Sequence, residues 1–147
     1  FPAGKLLIHA DGGARGNPGP AAIGVVIGSR KYGERIGETT NNVAEYKALL
    51  FALQKAKQLL SKRQAKTTEL EVRMDSELVV KQLNGKYKIL EPELQVFFLQ
   101  IWNLKQDFKH VEFTHIPREQ NREADRMVNQ AMDGKSEGSR RASRFAF

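Results

Sequence analysis

Four carboxylates stand where elements of this chain begin or end: Asp11, Glu45, Asp75 and Asp125. Asp11 closes an alternating run, KLLIHAD, in which Leu6, Ile8 and Ala10 point one way and Leu7, His9 and Asp11 the other. A turn rich in Gly12, Gly13, Gly16, Asn17, Pro18 and Gly19 follows, and its glycines let main-chain N–H groups approach a ligand closely. An acid beside such donors suits a place where metal and phosphate meet, and it equally suits a tight hairpin with a surface acid. Glu45 shares a helix face with Ala48, Leu49 and Ala52, where an acid needs a partner, but Asn42 to Glu45 also has the spacing of a capping box. Asp75 sits where a strand meets a helix, as a site residue or as a cap. Asp125 lies at the edge of an apolar helix face, a place open to an ordinary exposed acid. If the four converge, their repulsion calls for cations. All-oxygen ligation selects Mg²⁺ or Mn²⁺ over zinc, and two such ions about 3.5–4 Å apart are the apparatus of in-line phosphoryl transfer.

The elements that must position these acids alternate as βββαβααβα. After the first strand, Ala21 to Gly28 reads as a buried strand, Ser29 to Gly33 as a turn and Glu34 to Thr39 as a more polar strand. Three strands with short connections make an antiparallel meander. Thr40, Asn41 and Asn42 offer N-cap chemistry for a helix running to about Leu60. Ser61 to Lys66 reads as a basic loop, Thr67 to Met74 as a fourth strand, and Glu77 to Asn84 as a short helix stopped by Gly85. Pro92 opens a helix to about Gln106, whose Leu94, Phe97, Phe98, Ile101, Trp102 and Leu104 read as core. His110 to Ile116 is a fifth strand, Pro117 to Asn121 a polar loop, and Asn121 to about Asp133 a last helix. In mixed sheets of this kind, sites gather at strand ends and neighbouring helix starts.

A chain of 147 residues is one domain by size, and its 40% hydrophobic content is enough for a core. The expected division is a domain over residues 1–133 and a flexible basic tail over 134–147, where Lys135, Arg140, Arg141 and Arg144 stand against Glu137. The net charge of +7 favours a polyanionic partner. The absence of cysteine excludes disulfides, zinc–thiolate sites and a thiol nucleophile, and fits a reducing compartment; the expected location is cytoplasmic. No apolar run is long enough to span a membrane.

Rival motifs fail. The Gly-rich turn lacks the Lys-Ser/Thr pair of a nucleotide P-loop, and a strand follows it rather than a helix. His9, His110 and His115 lack the helical spacing of a metal pair, and no Gly-x-Ser-x-Gly elbow occurs. Four segments carry a resemblance instead: DGGARGNPGPAAIG (11–24), TTNNVAEYKAL (39–49), VRMDSELVVKQLNGKYK (72–88) and HIPREQNREADRMVN (115–129). With them the chain resembles type 1 ribonuclease H, in the archaeal and bacterial-like form without a basic handle. The resemblance implies an α/β ribonuclease H-like fold, with a five-stranded mixed sheet of order 3-2-1-4-5 flanked by α-helices. It implies endonucleolytic cleavage of the RNA strand of RNA–DNA hybrids, leaving 5′-phosphate and 3′-hydroxyl ends, with two Mg²⁺ or Mn²⁺ ions per site. The expected partner is the hybrid, with no membrane, and the expected state is a monomer.

The catalytic and metal-binding quartet of that family falls on Asp11, Glu45, Asp75 and Asp125. Its substrate contacts fall on Gly12, Asn17, Thr40, Asn41, Asn42 and Ser76, polar groups able to meet 2′-hydroxyls in a minor groove. His115 and Arg118 are the candidates for an assisting role near water or phosphate. Three departures stand out. The link LNGKYKILEP replaces the handle, Glu77 stands where relatives often carry Gln, and His115 sits close enough to a strand to belong to it. Two other classes share these features: a hybrid- or duplex-binding module, and a different nuclease on the same fold. The complete quartet argues against a pure binder.

Overall fold

The computed structural model describes residues 4–134. Three antiparallel strands open it: β1 (Lys5–Ala14), β2 (Gly19–Ile27) and β3 (Arg30–Thr39). Then follow α1 (Asn41–Leu59), α2 (Lys62–Lys66), β4 (Glu69–Met74), α3 (Glu77–Leu83), α4 (Pro92–Lys105), β5 (His110–His115), a single 3₁₀ turn (Arg118–Gln120) and α5 (Arg122–Met132). The sheet order is β3-β2-β1-β4-β5, with β4 parallel to both β1 and β5, as the resemblance implied.

The alternation along β1 sorts the two faces. Leu6, Ile8 and Ala10 join the main core with Ile23, Val25 and Ile27 of β2 and the apolar side of α1. The opposite face carries α5, whose Val128 and Ala131 pack on Ala22. That helix comes unusually near the sheet. A Cβ at Gly24 would overlap the Ala124 carbonyl oxygen, so β2 can accept α5 only with glycine there.

The structure corrects several sequence expectations. β1 does not end at Asp11; Gly12 and Gly13 continue it, paired with Ile23 and Ala22, and the turn is shorter than expected. β2 begins at Gly19, and β3 begins at Arg30, because the hairpin needs only Gly28 and Ser29 between Ile27 and Arg30. Residues 61–66 are not a loop: Ser61 and Gln64 form a reciprocal capping box that starts α2. Trp102 is not core. It is 49% exposed, because α4 meets the body along one stripe, through Leu94, Phe97 and Ile101. Phe98 and Leu104 are partly buried beside that stripe. The expected tail, with its arginines and its two phenylalanines, lies outside the described residues.

Candidate active site

Asp11 lies on β1 just past the point where pairing to β4 stops, at His9 and Arg73. β1 therefore projects beyond its parallel neighbour, and the end of β4 delivers Asp75 beside it. Glu45 comes from the other layer, in the first turns of α1. It reaches Asp11 because Gly12 has no side chain: a Cβ there would overlap the Ala44 carbonyl oxygen. The Gly12 N–H donates to Glu45 Oε1 and also to Asp11 Oδ1 (3.0 Å). One main-chain donor thus ties two acids together across the two layers. Glu45 takes no part in a capping box; Thr40 caps α1, its Oγ1 accepting from the Val43 N–H. Nor does Asp75 cap α3, since Ser76 does, through the Val79 N–H.

One carboxylate oxygen each from Asp11, Glu45 and Asp75 lies within 4.8 Å of the others. Asp125, from the first turn of α5, lines the same open cleft of about 540 Å³ but stands outside that oxygen cluster. Burial, then the charges of Asp75 and Asp125, push the Asp11 carboxyl up from 3.8 to about 8. Burial, then Asp11 and Asp75, push Glu45 well above the usual carboxylate range, against the pull of the Gly12 N–H. Asp75 is also raised, chiefly by burial, with the Arg118 guanidinium opposing. Crowded carboxylate oxygens that repel one another, two of the three acids being buried, fit a hard divalent cation.

The expected substrate contacts divide. Gly12, Asn41, Asn42, Ser76 and Arg118 line the cleft with the acids. Asn17 and Thr40 do not; with Asn42 they line an adjoining cavity of about 280 Å³, together with Glu91 and Glu93. Several of these groups already hold the site together. Asn17 Oδ1 accepts from the Asn41 N–H (3.0 Å), and Asn41 Oδ1 accepts from the Ala14 N–H (2.8 Å), which pins the β1–β2 hairpin to the start of α1. Asn42 lies where the two cavities join. His115 is the last residue of β5, exposed and outside the cleft lining, although its charge reaches Asp75.

In the sequence Asn121 reads as the end of a polar loop and the start of the last helix. It is 1% exposed, and its Nδ2 donates to the Ala10 carbonyl (3.0 Å), next to Asp11. Its own carbonyl accepts from the Asp125 N–H (3.1 Å). One buried side chain therefore sets the α5 acid against the β1 acid. The signal available was an Asn at a helix start, which says cap before it says bridge.

Comparison with known proteins follows the same lines. The family described as reverse transcriptase-like matches residues 9–131. The bifunctional protein Rv2228c of Mycobacterium tuberculosis is 39% identical over 142 residues, covering 92% of this chain and 37% of that protein. The ribonuclease HI of Halobacterium salinarum is 38% identical over 136 residues, covering 88% of this chain and 65% of its own length. The chain thus spans little more than a third of the first curated relatives it matches. Among solved structures, LC11-RNase H1 in complex with an RNA/DNA hybrid superposes with a TM-score of 0.83 at 47% identity, over 88% of this chain and 97% of that one.

Proposed function

The chain belongs to the reverse transcriptase-like family, in its type 1 ribonuclease H branch, and from that premise we propose that it hydrolyses the RNA strand of RNA–DNA hybrids, leaving 5′-phosphate and 3′-hydroxyl ends. The observation that carries the reading is the convergence of Asp11, Glu45 and Asp75 oxygens in a polar cleft that Asp125 also lines. Asp11, Glu45 and Asp75, with Asp125 alongside, would hold Mg²⁺ or Mn²⁺, two ions with substrate, and such ions when bound supply phosphate neutralisation and an activated water.

The chain's own groups do the rest. Arg118 faces Asp75 from the cleft rim, placed to hold a backbone phosphate. Among the described residues, no hydrogen bond holds the Asn42 side chain, so it is the amide at the cleft junction available to a 2′-hydroxyl. Asn17, Thr40 and Asn41 serve the groove from positions already fixed by hydrogen bonds to the backbone. Gly12 leaves the space through which Glu45 enters. The monomeric state and cytoplasmic location expected from the sequence remain part of this proposal.

The test is cleavage with Mg²⁺ of three end-labelled duplexes of one sequence: RNA–DNA hybrid, double-stranded RNA and DNA. The expected result is cutting of the hybrid's RNA strand alone, lost in Asp11→Asn while hybrid binding persists. Tight hybrid binding without cutting by the parent would return the chain to the class of binding modules. Cutting of DNA would make it a different nuclease on the same fold.

A further inference from the structure

The four acids crowd one cleft, and one of them stands outside the oxygen cluster of the other three. Asp125 is that one, half-buried and near Asp11 and Asp75. One helical turn further on, Asn129 meets it. The Asn129 amide Nδ2 donates to the Asp125 carbonyl (3.1 Å) and to its carboxylate Oδ2 (3.4 Å). The other end of the same amide, Oδ1, accepts from Arg15 Nη2 (3.5 Å), and Arg15 Nη1 pairs with Asp133 Oδ1 (2.8 Å). Arg15 and Asn129 both line the cleft.

The chemistry of these groups fixes the direction of the chain of bonds. A guanidinium has donors and no acceptor, so the amide must turn its oxygen toward Arg15 and its NH₂ toward Asp125. The reversed amide would set an oxygen against a carboxylate. Arg15 is itself held by Asp133, so the orientation begins at the hairpin after β1 and ends at the acid on α5. An amide is the apt donor here. It restrains a carboxylate oxygen without bringing a positive charge that would compete with a cation for the same acid.

We propose that Asn129 is a positioning residue for Asp125: it holds that carboxylate turned into the cleft, and Arg15 sets the amide that does so. The inference rests on the reading of Asp125 as a member of the metal-side quartet. Its partners are set by the geometry of α5 and the hairpin, and the family match to residues 9–131 does not by itself assign them a role.

The experiment uses the full chain with Asn129→Ala, Asn129→Asp, Asp125→Asn and the double variant Asp125→Asn/Asn129→Ala. Each is measured by calorimetric Mn²⁺ titration, by hybrid cleavage and by thermal melting in chelator. Asn129→Ala should lower kcat and Mn²⁺ affinity by about 10-fold, at the lower end of what outer partners of metal ligands contribute. KM for hybrid should stay within about twofold, because groove contacts are untouched. Asn129→Asp should be worse than Ala, since it cannot donate and adds a charge facing Asp125. Added to Asp125→Asn, Asn129→Ala should cause no further loss of Mn²⁺ affinity, because the group it acts through has already gone.

Parent-like kcat and Mn²⁺ affinity in Asn129→Ala would overturn the proposal. So would a full, additive loss of Mn²⁺ affinity on the Asp125→Asn background. A lower melting temperature with unchanged Mn²⁺ affinity would assign Asn129 to helix stability alone and equally overturn it. If the parent fails to cut hybrid, the ribonuclease reading falls, while the Mn²⁺ cycle still decides whether Asn129 acts through Asp125.

Discussion

Asp11 binds its proton more tightly in the folded protein than in the unfolded chain. Its carboxyl rises from 3.8 to about 8, first because it is buried and then because Asp75 and Asp125 stand near it. For a raised acid, the linked stability is fully present below the unfolded value, near pH 4, and is lost as pH rises through about 8. The metal-free protein should therefore weaken steadily across that window. Asp11→Asn keeps the shape and has nothing to titrate. In chelator near pH 8 it should be more stable than the parent by about 0.5–2 kcal/mol, and the gap should close toward pH 4. Excess Mg²⁺ should close it at pH 8 too, since the parent gains more from binding. Paired melts over that range check this, and a parent that melts above the mutant in chelator near pH 8 would contradict the crowded-acid picture. At this scale the sequence was informative about residue type and silent about reach. Four acids at element ends could be read off, but Glu45 meets Asp11 through space that exists because Gly12 has no side chain, and that follows from helix–sheet distance rather than from any spacing in the sequence. Asn121 escaped for a similar reason: nothing in the sequence tells which carbonyl of β1 lies beyond the ladder to β4.

Elements were legible where their own period decides them, and less so where a neighbour does. α5 shows its apolar face at helical spacing through Ala124, Met127, Val128 and Ala131, whereas α1, buried on nearly every side from Val43 to Leu53, is legible by its apolar run and by Thr40 at its N-terminus. α2 carried its own signature, Ser61 followed by Gln64, beneath a run of basic residues that reads as loop. Trp102 lies on the same helix as Phe97 and Ile101, but α4 has a single partner stripe, and an apolar side chain on another face has no layer to enter. The placement of α5 is the element-scale feature that matters most for chemistry, because that helix carries Asp125. It is set from the sheet by Gly24 and Gly33 and from its C-terminal end by Arg35, whose Nε and Nη2 donate to the carbonyls of Ala131 (2.9 Å) and Met132 (3.1 Å). Gly24→Ala should lift the helix off β2. The expected destabilisation is about 1–3 kcal/mol, the usual result of overpacking, with a fall in kcat beyond what the remaining folded fraction explains. Melts and hybrid cleavage on one preparation check it; normal turnover in a destabilised variant would show that Asp125 tolerates the shift.

For the whole molecule, charge and connectivity set the behaviour. The net charge is +7, and Arg140, Arg141 and Arg144 stand in the segment after α5. Removing residues 135–147 should leave the quartet in place and flatten the salt dependence of hybrid binding. If each of those arginines neutralises one phosphate, the log–log slope falls by roughly 2–3 units. Binding measured from low to moderate salt checks this, and an unchanged slope would mean that the segment does not touch substrate. The sheet order was legible because motif order carried the family likeness over nearly the whole chain; no single strand announces its neighbours. α5 is also the last described element, it meets the sheet across a floor of glycine backbone, and a short link at 116–121 joins it to β5. The protein therefore divides naturally into two pieces: a body ending near Ile116, which owns Asp11, Glu45 and Asp75, and a short helical peptide, which owns Asp125. Cut there, neither piece holds all four acids, and on the proposed reading hybrid cleavage should return only when the two pieces are mixed.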